Sequence, residues 1–401
     1  MYFLNGVIAG GDRSDSPGDG GYATARRIFR RLVYHWLTKV VGWSDVDKSG
    51  TKWDQAPIDS GTDGATDAVD SEIFNSAGAD FTVINPVDST KRYYATITGF
   101  SNPERDGMYM VQRIESTTQF RITKAHCGAH TDGFLLGETG LTWRIDEWKD
   151  NDGRPAIGDW FVLGGTGVGG TFHMRCVSDN SQTYSPDKFD ISPFDDWDAV
   201  AHAWKTPARY TSQQGNITEP WMDSALVFGV ADLTHAVFWV RYYTYDIVTG
   251  SLYPNTYYFG DINPFRPIVD TNPVVCIARQ VSNDWNEWSG FYNNVGMIGA
   301  DGTQTIGRIL WPSLHGSIAT HFADGLSKVY SEYSGRVFRH PLIVACYDAS
   351  FHEVRGTLKS LEGFHHYGDR ICTPFGTNRD RLRLQFSCLP WNGSKQFRYV
   401  F

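Results

Sequence analysis

The amino-acid sequence predicts a mainly β protein of antiparallel, sandwich- or barrel-like domains with one N-terminal amphipathic helix. Short segments rich in β-branched and aromatic residues recur about every ten positions, most regularly between Gly78 and Asp146. Gly, Asn, Pro or Asp closes each segment, as in antiparallel strands joined by turns. Aromatic residues make up 14% of the chain and suit pleated sheet faces, while the 41 glycines suit tight turns.

Length and composition indicate a folded protein with more than one core. A chain of 401 residues is long for one domain and predicts two or three. Apolar residues make up 41% and charged residues 20%, which is typical of a chain that buries a core rather than a disordered one. The formal net charge of −9 argues against a general nucleic-acid binder, so we expect no direct nucleic-acid binding.

Targeting and membrane signals are not apparent in the sequence. The segment from Met1 to Gly10 lacks a basic region, and its apolar run is too short for a signal peptide. No apolar stretch reaches the length that spans a bilayer, so we expect no membrane partner. The six cysteines are scattered and form no CxxC pair. In a chain made in the cytosol this predicts reduced, mostly buried thiols, with a disulfide formed after release as the alternative.

The first 42 residues divide into a predicted arm and a predicted helix. Residues 1–21 are rich in Gly, Ser and Asp and predict a flexible arm. Residues 22–42 predict the helix, because apolar residues from Ile28 to Val40 fall at spacings of three and four, and it should end near Gly42. Its basic residues are candidates for docking against an acidic neighbouring subunit; the alternative is a solvated basic face on a helix that packs on the β domain. The interface candidates are Arg26, Arg27, Arg30 and Arg31.

The rest of the chain divides into two β domains. Residues 43–180 predict the first, in which the polar, Gly- and Asp-rich tract from Asp59 to Ala79 predicts a long surface loop. Residues 181–222 contain four prolines and predict an irregular linker or crossover. Residues 223–401 predict the second β domain. One further helix is predicted between Ile318 and Tyr330, although a glycine inside it weakens the pattern.

A glycine-rich segment, Gly165–Gly170, satisfies the G-x-G-x-x-G pattern of dinucleotide sites. In such a site a helix follows, so that its N-terminal amides meet the pyrophosphate. Here Thr171–Cys176 follows and alternates like a strand. A kinase-type glycine loop is disfavoured because the accompanying HRD and DFG elements are absent. The segment therefore predicts a hairpin loop.

Three further patterns suggest catalytic or metal chemistry and fail on a missing part. Asp59–Thr62 matches the aspartic-protease tetrapeptide, but the second copy that would share the proton is absent. Asp150–Gly153 resembles part of a calcium loop, but Trp148 stands at the first ligand position. His126–His130 offers soft ligands without the second pair that a closed zinc site needs. We therefore predict no catalytic residues, no cofactor and no metal.

One aromatic segment could bind sugars. Trp285 and Trp288 flank Glu287, and a sugar face stacks well on an indole ring. Hydrolysis would need a second carboxylate at a suitable distance. The other interpretation is that these aromatics belong to a core or an interface.

Two stretches resemble the virion structural proteins of tailed bacteriophages. The first is residues 78–146, which opens with Gly-Ala-Asp-Phe-Thr-Val and includes the Asn102–Gly107 turn and Gly140–Ile145. The second combines Phe338–Val344 with Val354–Lys359. Together they cover about a fifth of the chain. The resemblance implies a structural subunit of the particle in the neck, collar, tail or baseplate, assembled in rings or symmetric arrays and without catalytic residues.

We therefore expect a non-enzymatic virion protein that is made in the host cytoplasm. Its expected partners are copies of itself and other virion proteins. A flexible arm, a basic helix and aromatic-rich β domains suit a protein that buries surface against neighbouring subunits. The alternative is a carbohydrate-binding module for receptor recognition or decoration, which would bind a host-surface glycan through Trp285, Trp288 and Glu287.

Overall fold

The computed structural model is a mainly antiparallel β structure, which confirms the predicted fold class. It describes residues 2–9, 31–50, 53–54, 56–86, 91–127, 133–149, 159–177, 187–192, 197–205, 210–215, 222–244, 254–265, 267, 273–280, 295–298, 304–310, 338–347, 352–366 and 396–400. The predicted helix between Ile318 and Tyr330 lies outside these residues, as do the residues of the N-terminal helix before position 31.

The described strands form one closed barrel, two open sheets and a short ribbon. In chain order they are β1 (Tyr2–Ala9), β2 (Ser44–Lys48), β3 (Asp59–Thr66), β4 (Ile73–Ser76), β5 (Lys91–Thr98), β6 (Gly107–Ser116), β7 (Gln119–Cys127), β8 (Thr139–Lys149), β9 (Trp160–Gly167), β10 (Gly170–Val177), β11 (Asp187–Ser192), β12 (Trp197–Asp198), β13 (Ala203–Trp204), β14 (Tyr210–Gly215), β15 (Met222–Ala231), β16 (His235–Thr244), β17 (Pro254–Pro264), β18 (Val274–Gln280), β19 (Val295–Ile298), β20 (Gln304–Leu310), β21 (Phe338–Tyr347), β22 (His352–His366) and β23 (Gln396–Val400). Two short 3-10 helices occupy Phe81–Val83 and Pro103–Arg105.

The barrel closes in the strand order β3-β4-β7-β6-β5-β8 around a core of aromatic rings. Two glycines of β3 lie directly beneath two of these rings. A Cβ on Gly61 would lie 2.9 Å from Nε1 of Trp143, and one on Gly64 would lie 2.5 Å from Cζ of Phe74. The prediction of a surface loop over Asp59–Ala79 is therefore wrong, because this tract forms β3 and β4 and its glycines make room for the rings.

A five-stranded antiparallel sheet, in the order β14-β11-β10-β9-β2, lies outside the barrel. Three of its strands come from residues 43–180, which the sequence predicts as one β domain, so that range contributes to two separate sheets. The other two, β11 and β14, fall within residues 181–222. The described part of that range therefore contains strands, rather than only the predicted irregular linker. It also holds the β12–β13 ribbon.

The ten-stranded sheet runs in the order β1 and then β15 to β23, and β22 also pairs with β17. Its first strand pairs with β15 from Tyr2 opposite Ala231 to Ala9 opposite Ser224. Leu4 on that strand is 1% exposed and belongs to the core. The prediction of a flexible arm is therefore wrong for residues 2–9, and residues 10–21 lie outside the described part of the chain.

The helix α1, described from residue 31 to Val41, is α-helical over residues 31–36 and continues as a π-helical turn, Leu37–Val41. It ends at Gly42, as predicted, where a φ of 92° lets the glycine N–H donate to the Leu37 carbonyl at 3.0 Å. Residues 31–37 are all buried. The ring of Trp36 packs 5.3 Å from that of Phe238 in the ten-stranded sheet. The helix therefore forms the core between sheets, rather than covering one of them.

Candidate functional site

Arg31 is the predicted interface residue whose position the structure describes. Its side chain is 8% exposed, and Nη2 lies 3.5 Å from the backbone oxygen of Glu147 on the barrel strand β8. Burial lowers the pKa of its guanidinium to about 10, although the charge of Asp146 partly opposes this. Arg31 is therefore buried against the barrel rather than exposed on the basic face that the sequence predicts.

The other predicted site residues lie outside the described part of the chain, so the interface and glycan-binding hypotheses remain predictions there. They are Arg26, Arg27, Arg30, Trp285, Glu287 and Trp288.

The glycine-rich segment is a hairpin, as predicted, and it binds a carboxylate of its own chain. Strands β9 and β10 pair up to Gly167 opposite Gly170, which leaves a two-residue turn. The N–H of Val168 in this turn donates to Oδ2 of Asp261 at 2.7 Å. A Cβ on Gly167 would lie 2.9 Å from Cγ of Asp261 and closer still to Oδ1. The glycine thus allows the carboxylate to approach the turn.

Asp261 is fully buried and incompletely compensated. The ammonium of Lys359 lies 3.5 Å from Oδ2, while Oδ1 has no hydrogen-bond partner among the described residues. Burial raises the pKa of Asp261, and the Val168 N–H and the Lys359 charge offset only part of this increase. This carboxylate ties the hairpin to the ten-stranded sheet.

Next to it lies an aspartate–histidine–serine series, which we call the hairpin triad: Asp232, His235 and Ser360. Nδ1 of His235 lies 3.0 Å from Oδ1 of Asp232, and its Nε2 lies 2.8 Å from Oγ of Ser360. His235 is 1% exposed, whereas Ser360 is half-buried. Both distances are within hydrogen-bond reach, so the three side chains form one continuous chain.

The turn between β15 and β16 places the first two members of the triad. Oδ1 of Asp232 accepts from the backbone N–H of Thr234 at 2.7 Å and from that of His235 at 3.1 Å. An aspartate that bonds the amides following it is typical of a tight turn. The same carboxylate that shapes the turn therefore meets the imidazole.

The charge of Asp232 determines which ring nitrogen of His235 carries the hydrogen. Burial alone would raise the pKa of Asp232, but hydrogen bonds from His235 and Thr234 outweigh it and hold that pKa far below its usual range. An ionised carboxylate only accepts hydrogen bonds, so Nδ1 of His235 carries the hydrogen and donates it to Asp232. In the neutral imidazole this leaves a lone pair on Nε2, which accepts from the hydroxyl of Ser360.

Strand β22 brings Ser360 to the histidine. β22 pairs with β17 through Leu358 opposite Ile262, and the N–H of Lys359 donates to the Tyr258 hydroxyl at 3.1 Å. The Tyr258 ring stacks on the imidazole of His235, with centroids 5.9 Å apart. Ser360 has a φ of 56°, a left-handed conformation that a residue with a Cβ seldom adopts. Ser360 lies between Thr357 and Glu362, where the register of β22 against β21 shifts, and it adopts its strained conformation within this irregularity.

A second buried polar group joins α1 to the barrel. Nε2 of His35 lies 2.8 Å from Oγ1 of Thr96 and 3.6 Å from Oδ2 of Asp146. Arg144 binds both oxygens of Asp146, at 3.0 and 2.6 Å. Burial lowers the pKa of His35 to about 4, although the charge of Asp146 opposes the shift. Since His35 and Asp146 are both buried, this group connects elements rather than meeting a ligand.

The remaining predicted motifs add no second site within the part of the chain that the structure describes. Asp59 accepts from the backbone N–H of Ser60 at 2.8 Å and of Asp80 at 3.3 Å, which gives its carboxylate a structural partner on each side. The side chains of His126–His130 and Asp150–Gly153 lie outside the described residues. Among the side chains that are described, no group of three or more His, Cys, Asp or Glu could hold a metal ion. No helix in the described ranges is long and apolar enough to cross a bilayer.

Sequence reasoning missed the hairpin triad. Asp232 and His235 are three positions apart, but Ser360 follows His235 after 125 residues and shares no motif with it. The Asp-x-x-His spacing at a hairpin turn is a weak signal, because turns are rich in aspartate for conformational reasons alone.

Comparisons with known proteins give no family assignment: no protein-family model matches the chain, and no curated protein matches its sequence. The functional interpretation rests on the sequence patterns and on the geometry of the chain itself.

Proposed function

We propose that this protein is a structural subunit of the virion of a tailed bacteriophage, located in the neck, collar, tail or baseplate. In this role it assembles into a ring or symmetric array with copies of itself and contacts other virion proteins. The resemblance of residues 78–146 to such proteins motivates the proposal. The observation that carries it further is an exposed apolar surface on a rigid end of the barrel.

That surface is the barrel rim, defined as residues 67–72 and 133–137, where two loops are tied together. The N–H of Gly137 donates to the Asp67 carbonyl at 3.0 Å, and the N–H of Phe134 donates to the Ser71 carbonyl at 2.7 Å. Backbone bonds between the loops fix their relative position. The barrel rim is therefore a preformed surface that loses little conformational freedom on binding.

The barrel rim exposes two apolar side chains. Val69 is 88% exposed and Leu136 is 51% exposed, on the two loops that the backbone bonds join. Apolar groups displayed together on a rigid support gain free energy when another protein covers them. We propose a neighbouring virion subunit as that cover.

Charge on the barrel rim favours a basic neighbour. Asp67, Asp70 and Glu72 lie on one loop. The last two both pair with Arg121, at 2.9 and 2.6 Å. The predicted interface arginines Arg26, Arg27 and Arg30 on an adjacent copy would complement this acidic loop. Arg31 does not belong to the proposed contact, because it is buried.

The experiment compares assembly of purified wild-type protein with that of a Val69→Asp/Leu136→Asp double variant, by native mass spectrometry and negative-stain imaging. We expect the wild type to form closed rings or arrays, and the double variant to remain a folded monomer. The matched control is Val200→Asp, since Val200 is 92% exposed on the β12–β13 turn, which belongs to a ribbon separate from the barrel. It should assemble like the wild type.

A second arm reverses the basic residues. Arg26→Glu/Arg27→Glu/Arg30→Glu should weaken assembly at physiological salt, because several attractions become repulsions. Assembly of both multiple variants at wild-type levels would contradict the barrel-rim contact. Absence of the chain from purified particles of the phage that encodes it, by mass spectrometry, would contradict the virion role itself.

A further inference from the structure

We infer that Ser360 is an activated nucleophile that reacts with small carboxylic esters, with His235 as its general base and Asp232 as the residue that orients the imidazole. This activity goes beyond a structural role in the virion and does not depend on it. The inference starts from the hairpin triad, in which Oγ of Ser360 lies 2.8 Å from Nε2 of His235. Nδ1 of the same ring lies 3.0 Å from Asp232. Nucleophile, base and orienting carboxylate in this order are the arrangement that acyl-transfer sites require.

The β15–β16 turn is complete without Ser360, so turn formation does not explain why this serine lies against His235. Asp232 already closes the β15–β16 turn through the backbone amides of Thr234 and His235. Ser360 comes from a different strand and adopts a φ of 56° there. Left-handed backbone at a residue other than glycine is strained, and such strain is concentrated at functional positions. The strained backbone of Ser360, at the point where the register of β21 and β22 shifts, is a second observation beside the distances.

The site has apolar surface beside it. Two turns meet next to the hairpin triad, and each exposes an apolar side chain. Leu233 on the β15–β16 turn is 48% exposed, and Val168 on the β9–β10 turn is 69% exposed. The turns are joined because the N–H of Thr166 donates to the Leu233 carbonyl at 2.7 Å. Ser360 is half-buried rather than enclosed, so a small ester is the kind of substrate that can reach its hydroxyl. The exposed apolar residues on the two turns favour uncharged esters with a short apolar acyl or alcohol group.

The reaction balances without a further reagent. Oγ of Ser360 forms a bond to the ester carbonyl carbon while its proton moves to Nε2 of His235, and Asp232 stabilises the resulting imidazolium. The bond from that carbon to the alcohol oxygen then breaks, and the alcohol leaves with the proton from Nε2. Water next attacks the acyl-serine and gives a proton to Nε2, which returns it to Oγ as the carboxylic acid leaves.

The test uses the full chain and a fluorophosphonate probe, which forms a covalent bond with activated serine hydroxyls. We expect wild-type protein to take up close to one probe per chain, and digestion with mass spectrometry to map it to the peptide that contains Ser360. Ser360→Ala should abolish labelling and the hydrolysis of p-nitrophenyl acetate above background. His235→Asn should slow labelling by about a hundredfold or more, which is the usual contribution of a general base.

The matched control is Ser49→Ala. Ser49 is also half-buried, and its hydroxyl lies 3.3 Å from the Asp159 carboxylate. No histidine is among the hydrogen-bond partners described for it. Labelling should stay at the wild-type rate in this variant.

Two results would overturn the inference: wild-type labelling no faster than that of Ser360→Ala, or a label on any other residue. Because His235 is buried, its variant needs a near-ultraviolet circular dichroism check. If it does not fold, the stoichiometry and position of the label on the wild-type chain decide the question alone.

Discussion

Two buried carboxylates lie where structural units of this chain meet, and they are compensated differently. Asp146, between α1 and the barrel, is 4% exposed, and Arg144 binds both of its oxygens. Asp261, between the glycine-rich hairpin and the ten-stranded sheet, is fully buried. It receives one backbone N–H at 2.7 Å and a lysine ammonium 3.5 Å away.

This comparison indicates that compensation of a buried carboxylate depends on the geometry of the cation as well as on its charge. A planar guanidinium presents paired donors that match both carboxylate oxygens, whereas an ammonium acts as a point charge. Desolvation therefore dominates at Asp261 and raises its pKa. Burying an ion pair is favourable only when such compensation is complete. The two sites should respond differently to loss of their charge.

The largest expected effect comes from neutralising each carboxylate in turn. Asp146→Asn should lower the free energy of unfolding by about 3 kcal/mol, because Arg144 loses its paired carboxylate and the buried guanidinium of Arg31 loses the nearby negative charge. Asp261→Asn should lower it by less than about 1 kcal/mol, since removing a poorly compensated charge relieves a desolvation cost. Urea denaturation at pH 7 measures both. Equal losses in the two variants would remove the distinction between the sites.

The next effect is the pH dependence of stability that His35 contributes at the helix–barrel site. Its pKa is about 4 in the folded chain against a usual 6.5, so the unfolded chain binds the proton first as pH falls. Its contribution is fully present above pH 6.5 and decreases between pH 6.5 and 4, by at most roughly 3 kcal/mol. Denaturation midpoints across this range should therefore fall with pH.

Variants separate this contribution from others. His35→Gln keeps a donor toward Thr96 and should remove most of the decrease, while His202→Gln, at a side chain 58% exposed, should leave it unchanged. Asp261 acts in the opposite direction. Because folding raises its pKa, the folded chain takes up that proton first, so its cost in stability is largest at neutral pH and shrinks as pH falls. A decrease that persists in His35→Gln would point to another group.

The smallest effect concerns Gly167, whose lack of a side chain lets the Asp261 carboxylate approach the hairpin turn. Gly167→Ala should cost about 1–3 kcal/mol, because the new Cβ displaces a packed carboxylate. Gly137→Ala, in the barrel rim, has open space around its Cβ and a φ of 72°, so only backbone strain of about 1 kcal/mol opposes it. The double variant Gly167→Ala/Asp261→Ala should cost less than the sum of its two single changes. Additive losses would show that the carboxylate does not cause the penalty.

Local patterns made the fold class predictable. The alternation of strands and turn residues in residues 78–146 corresponds to barrel strands, and Gly165–Gly170 forms the predicted hairpin. The tract before them was not predictable in this way. Gly61 and Gly64 lower the apparent strand propensity of β3. Glycine is needed at both positions because the ring of Trp143, much later in the chain, lies where a Cβ would be.

Long-range pairing explains the other differences. The composition of residues 1–21 indicates an arm, because the sequence does not reveal that residues 2–9 have partners on β15. Ser360 likewise reaches His235 only through the pairing of β22 with β17. Arg31 has the charge of a surface residue, yet it lies against the barrel. Each outcome depends on contacts that single-sequence patterns do not encode.

The pairing of β1 with β15 also imposes an order on synthesis. Residues 2–9 are translated before Ser224–Ala231, which they pair with and which emerge only after the barrel and the hairpin of β9 and β10 have been made. The barrel strands pair within residues 59–149 and can close earlier, because their contacts are closer in sequence. Until β15 emerges, β1 of each nascent chain lacks this partner strand. When several ribosomes translate one message, β1 of one chain can pair with β15 of a neighbouring chain instead of its own. The result would be a dimer that exchanges β1.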